Sequence, residues 1–256
     1  MLEALRELEA ALEAESSAHG RSRLAASHEP PAATTDRLAS IFDSLAAGHV
    51  STRHPRYFGP PHPAPDPSAV VARALAAAFN PQLATRSHSP WPVDVEASLL
   101  RALGERFGLP PDEIEGTFTQ GGAESNLTAI VCAAIDRLEG FAEGGARGLD
   151  RGPAIYASTE AHATIARAAK IAGLGSRAVR RVPVDAQGKL KVSALREALR
   201  RDRAIDARPF MIVATAGTTS EGAIDPLEEM SQIARREECW LHVDAAWGGL
   251  LALVPE

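Results

Sequence analysis

Apolar positions run along this chain in two rhythms, and the change between them falls near residue 116. Before it, the spacing is helical. The opening LEALRELEAALEAE places leucines at helical intervals among strong helix formers, which predicts a short amphipathic helix. A polar stretch from Ser16 to Thr34, with HEPP near its centre, reads as a linker. Thr35 to Ala47 puts Leu38, Ile41, Phe42 and Leu45 on one helical face. The segment HPRYFGPPHPAPDP, His54 to Pro67, is too rich in proline for helix or strand. Helices then fit Ser68–Phe79 and Asp94–Phe107.

From Gly116 onward, apolar runs of strand length alternate with helical patterns. GTFTQ precedes a helix at Glu124–Leu138, AIYAS one at Glu160–Ala172, RAVRRVPV one at Val192–Arg201, and FMIVATA one at Pro226–Arg236; CWLHVDAA follows. That alternation predicts βαβ units and an α/β fold with a parallel sheet covered on both faces. AIYAS and FMIVATA are apolar throughout rather than alternating, as strands buried on both faces should be.

Composition narrows the function classes. The chain has 256 residues, 45% hydrophobic and 23% charged, which fits a soluble globular protein able to bury a substantial core. A formal net charge of -6 argues against nucleic-acid and membrane-surface partners. Cys132 and Cys239 sit in apolar contexts and read as buried thiols of a reducing compartment. No signal peptide opens the chain and no apolar run is long enough to span a bilayer, so cytoplasm is expected. No metal site is expected. Lys170, Lys189 and Lys191 are the only lysines.

Ligands of open α/β sheets bind where strands end and helices begin, and four such places carry distinctive residues. TQGGAESN, Thr119 to Asn126, sets a glycine pair before a helix whose free N–H groups could hold a phosphate; it serves equally as a tight turn. It fits neither the dinucleotide nor the P-loop pattern. STEAHAT, Ser158 to Thr164, places His162 in a first helical turn capped by Ser158 or Thr159, either as an ordinary hydrogen-bonded histidine or as a ring stacked on a flat ligand. ATAGTTSEGAIDP brings Gly217, Thr218 and Thr219 to a strand end, where turn chemistry accounts for them as well as ligand binding does. Its Asp225 reads as a structural N-cap with Pro226 in the first helical position. In WLHVDAAWGG, Asp244 ends a buried strand, where a carboxylate needs a cation or hydrogen-bond donors.

Taken in order, these four pieces resemble the group II pyridoxal-phosphate-dependent amino-acid decarboxylases, the aromatic-L-amino-acid and glutamate decarboxylase-like family. That pattern runs from a Gly-rich turn through SxxAHxS and ATxGTTxxGAxDP to HVDAAxGG, and Thr164 stands here for the serine of the second motif. HPRYFG (His54–Gly59) and SPWPVDVE (Ser89–Glu96) also resemble family segments.

The resemblance implies a large α/β domain of the fold type I, aspartate-aminotransferase-like class, with a mainly parallel sheet preceded by N-terminal helices. It divides the chain into 1–85, a helical and extended segment for dimerisation and substrate loops, and 86–256, an incomplete cofactor-binding domain without the family's small C-terminal domain. It implies pyridoxal 5'-phosphate as cofactor, an L-amino acid as substrate, and a homodimer. Gly122, Ala123 and Glu124 would hold the phosphate. His162 would stack on one ring face and Ala246 pack on the other, while Asp244 would pair with the ring nitrogen. Thr219 would sit beside the ring and help fix Asp244 or the cofactor, and His162, Thr219 and Asp244 together would serve the reaction. Tyr57 and Phe58 match substrate-contacting positions and hint at an apolar or aromatic side chain. Trp247 stands where the family commonly has tyrosine.

In that family the lysine that holds the cofactor lies in a motif like DxHK, downstream of HVDAAxGG, whereas this sequence runs to Glu256. Two explanations stay open: a piece of a longer carboxy-lyase, or a shortened protein without activity, such as a remnant or interaction module. Within the same fold, an aminotransferase or a carbon–carbon lyase is the nearest rival.

Overall fold

The computed structural model describes residues 32–52, 54–59 and 65–254, with the side chains of 32–38 left aside. The expected first helix and most of the following linker lie outside these residues. The chain divides into two compact units, Met1–Asn80 and Pro81–Glu256.

In the first unit the described residues form helices α1 (Ala32–Gly48) and α2 (Pro67–Phe79). Asp66 starts α2 by accepting the Ser68 N–H at 2.8 Å, with Pro67 in the first turn, where its missing N–H costs nothing. Asn80 closes it in the left-handed conformation, φ 42°. Tyr57 is half-buried and Phe58 is 93% exposed.

The second unit carries the sheet. Helix α3 (Pro90–Arg106) precedes α4 (Gly122–Arg137), after which β1 (Pro153–Ser158), α5 (Thr164–Ile171), β2 (Val179–Val182), α6 (Val192–Ala204), β3 (Arg208–Thr215), α7 (Leu227–Arg236) and β4 (Trp240–Asp244) follow in βαβ succession. The four strands lie in the order β2-β1-β3-β4 and every pair is parallel. Strand side chains alternate between two cores. Ile155, Ala157, Met211 and Val213 pack with Ile130, Ala133, Ile165 and Ala169 of α4 and α5. Ala154, Tyr156, Ile212 and Ala214 pack with Leu195, Leu199, Met230 and Ile233 of α6 and α7. Central β3 is buried from Phe210 to Thr215, which is why FMIVAT has no polar alternation.

Several expectations need correction. GTFTQ forms no strand: residues 114–119 have no regular structure and Phe118 is half exposed, because strand propensity counts only where a neighbour offers a hydrogen-bonding edge. Cys132 is exposed, one position off the buried Ala133–Ala134 stripe of α4, whereas Cys239 is buried. Strand β4 is only half-buried, since in the described sheet it is an edge. Asp225 is not an N-cap. Pro226 occupies that position without a side-chain cap, and the Asp225 carboxylate instead accepts the backbone N–H groups of Leu190 and Thr215, both at 2.8 Å. Among the described residues, no helix is long and apolar enough to cross a membrane.

Candidate functional site

The C-terminal ends of β1, β3 and β4 and the N-terminus of α4 meet at an open cavity of about 260 Å³. The cavity brings together Gly122, Ala123, His162, Thr219, Asp244 and Ala246, six of the residues to which the family resemblance gives a cofactor role. It adds Asn126, Thr164, Thr215, Gly217 and Trp247. Glu124 is not in its lining, and Tyr57 and Phe58 belong to the first unit.

Helix α4 begins at Gly122, two residues earlier than its sequence pattern indicates, so Gly122 and Ala123 supply its first free N–H groups. Glu124 turns back, and its carboxylate accepts the Gln120 N–H at 2.7 Å, closing the turn before the helix. A Cβ on Gly122 would lie 3.6 Å from the Cβ of Ala246, so the start of α4 and the loop after β4 stand within van der Waals reach. The loop after β3 is pressed against the same β4 loop. At Gly217, φ is +103° and a Cβ would fall 2.7 Å from the Trp247 indole, so only glycine fits beneath that ring.

His162 lies just before α5, not in its first turn. Its Nδ1 accepts the Thr164 N–H at 3.3 Å and stands 2.7 Å from the Thr164 hydroxyl; the N-cap position falls to Ala163, without a side-chain cap, rather than to Ser158 or Thr159. Asp244 ends β4, paired in register with Thr215 of β3. Its Oδ2 accepts from Asn126 Nδ2 at 3.0 Å, and among the described residues its Oδ1 meets only the Ala246 N–H, at 3.4 Å. Asn126 is 3% exposed and also donates to Thr164 Oγ1 at 2.9 Å, while its Oδ1 lies 2.7 Å from His242 Nε2. Burial holds the His242 imidazole below its ordinary pKa, against the opposing pull of Asp244, which keeps the ring neutral near pH 7.

Lys170 is exposed on α5, and Lys189 and Lys191 flank the turn before α6; none lines the cavity.

The family model of the pyridoxal-dependent decarboxylase conserved domain matches residues 25–256. The chain belongs to the pyridoxal-dependent decarboxylase family. It is 35% identical over 214 residues to the acidic amino acid decarboxylase of Mus musculus, covering 84% of this chain and 38% of that protein. It is 36% identical over 204 residues to the cysteine sulfinic acid decarboxylase of Homo sapiens, covering 80% and 41%. The crystal structure of mouse CSAD superposes with a TM-score of 0.80 at 32% identity, over 85% of this chain and 45% of that one. The chain thus spans about two fifths of the length of the curated relatives it matches.

The family's cofactor, pyridoxal 5'-phosphate, suits the residues present. The donor set offers a carboxylate with one oxygen weakly engaged, a helix N-terminus with free N–H groups, and an imidazole at the rim. Within the lining, the Thr215 hydroxyl is buried and finds no partner among the described residues. A buried hydroxyl without a protein partner beside Asp244 is costly and is the kind of group a polar ligand satisfies.

Proposed function

We propose that this chain contributes the cofactor cradle for pyridoxal-phosphate-dependent decarboxylation of an L-amino acid. The observation that carries the reading is the meeting of Asp244, His162 and the α4 N-terminus around one cavity, from three separate elements. When bound, pyridoxal phosphate supplies a protonated ring that accepts the electrons left by departing carbon dioxide. The chain's own residues prepare that ring. Asp244 is the counter-ion that holds a proton on a ring nitrogen. The N–H groups of Gly122 and Ala123, at the positive end of α4, receive the phosphate. His162 would cover one ring face and Ala246 the other, and Thr219 would stand at the edge.

Turnover also requires a lysine amine within reach of the cofactor, and that amine must come from outside the lining described above. The names of the more similar relatives favour an acidic substrate over the aromatic one hinted at by Tyr57 and Phe58. The reading includes a homodimer in the cytoplasm, with residues 1–85 serving assembly and substrate loops.

The test has two arms. Titration of the 256-residue chain with pyridoxal phosphate should show saturable binding without a borohydride-reducible linkage to Lys170, Lys189 or Lys191. Reading the coding sequence beyond codon 256 should reveal a DxHK-like motif, and the product of the whole locus should release carbon dioxide from L-aspartate or cysteine sulfinate in preference to aromatic or diamino acids. No cofactor binding, or no decarboxylation of any amino acid by the locus product, would sink the reading.

A further inference from the structure

Five side chains, four in the cavity lining and His242 beside them, make hydrogen bonds whose directions can be assigned. A carboxylate only accepts, so the Asn126 atom facing Asp244 Oδ2 at 3.0 Å must be its NH₂ group. The other NH₂ hydrogen goes to Thr164 Oγ1 at 2.9 Å, leaving the carbonyl Oδ1 toward His242. That carbonyl accepts, so neutral His242 carries its proton on Nε2. Thr164 Oγ1, already accepting from Asn126, is free to donate to His162 Nδ1 at 2.7 Å. The Thr164 N–H points at the same nitrogen, so His162 Nδ1 is an acceptor twice over. A neutral His162 therefore carries its proton on Nε2. Each donor of the Asn126 amide is used, and its carbonyl is matched by the one hydrogen of His242.

We propose that Asn126 is a positioning residue that couples Asp244 to His162, with the Thr164 hydroxyl as relay. By taking Oδ2 of Asp244 it leaves Oδ1 as the oxygen available to a cation in the cavity. Through Thr164 it holds the His162 ring with Nδ1 inward and Nε2–H outward. The groups assigned to the edge and the face of one flat ligand are thus set by a single buried amide, 3% exposed and fixed on the first turns of α4. A side chain whose every polar atom is matched has one low-energy orientation, which is why an amide suits this place better than a hydroxyl or an acid. A carboxylate at residue 126 would face Asp244 with a second acceptor, and a serine would not span the three partners.

The inference rests on the proposed function for the identity of the ligand, but not for the hydrogen-bond directions. Both can be read in the 256-residue chain. Long-range proton–nitrogen NMR spectra, taken without cofactor at a pH where the rings are neutral, should show His162 and His242 as Nε2–H tautomers. Thr164→Val, which leaves on Nδ1 only the longer 3.3 Å main-chain N–H, should shift part of the His162 population to the other tautomer and leave His242 unchanged, and Thr164→Ser should restore it. Asn126→Ala should perturb both rings and weaken pyridoxal phosphate binding by about tenfold or more, the effect of one hydrogen bond to a charged group. Nδ1–H on His162 in the wild-type chain would overturn the relay even if cofactor binding is intact. A His162 tautomer indifferent to Thr164→Val would do the same, with no dependence on how well Asn126→Ala folds. Tautomers as expected in a wild-type chain that binds no pyridoxal phosphate would refute the proposed function and leave the hydrogen-bond directions standing.

Discussion

Asp225, in the loop after β3, and Asp244, at the end of β4, both stand beside Thr215, yet their carboxylates are held in opposite ways. Asp225 is 2% exposed and gives one oxygen to the Leu190 N–H and the other to the Thr215 N–H, each at 2.8 Å. Both oxygens are committed to the main chain, and the residue ties the turn before α6 to the end of β3. Asp244 is half-buried and gives one oxygen to a side-chain amide, with the other meeting an N–H only at 3.4 Å. The difference separates two uses of a buried charge. A carboxylate closed by backbone donors is part of the frame, whereas one held on a single side by another side chain is aimed and still available.

Exchanging each for alanine should split stability from binding. Asp244→Ala removes the proposed counter-ion and should weaken pyridoxal phosphate binding by about 100-fold or more, in line with the ~3–5 kcal/mol lost when one partner of a desolvated ion pair is deleted. Its effect on folding should stay near 1 kcal/mol, because its loss strands only one donor of Asn126. Fluorescence titration of the cofactor and urea unfolding of the same variant read the two quantities. Asp225→Ala should do the reverse. It strands two buried N–H groups and should cost about 3 kcal/mol in urea unfolding, while cofactor affinity measured below the transition changes little. Equal losses of stability in the two variants would erase the distinction.

The sequence made the frame of this fold readable where one rule governed a long stretch. FMIVATA is apolar because β3 is buried on both faces, and the helices that follow each strand show their spacing without help from distant residues. The site was legible as motif pieces at strand ends, so Gly122, His162, Thr219 and Asp244 could be grouped before their positions were known. Asn126 was overlooked although its signal was present: it falls on the buried stripe of α4 with Ile130 and Ala133, four and seven positions on, where a polar amide demands partners. What the sequence could not reveal was which partners, because Asp244 and His242 are more than a hundred positions away and meet Asn126 only through the parallel order of strands. Asp225 misled for the same reason. Its local context, DPLE, imitates a capped helix start, while its real donors come from a different loop and a different strand.

The smallest expected effect is the most direct contrast, since the two surroundings should respond to pH with opposite signs. Burial raises the pKa of Asp225 above its ordinary 3.8, reinforced by Asp185 and opposed by the two backbone hydrogen bonds. The folded state then holds that proton more tightly than the unfolded chain does. The stabilisation is complete below pH 3.8 and is lost as pH rises through the raised folded value. Burial lowers the pKa of His242 beneath 6.5, so here the unfolded chain binds the proton more tightly, and stability falls as pH drops from 6.5 toward the lowered folded value. Asp225→Asn should flatten the acid-side slope of unfolding free energy against pH and leave the slope just below 6.5 intact. His242→Gln, which retains an N–H for the Asn126 carbonyl, should remove the second slope and spare the first. A single variant that abolished both slopes would show the two carboxylate surroundings to be one coupled unit, and the contrast between frame and site would fail.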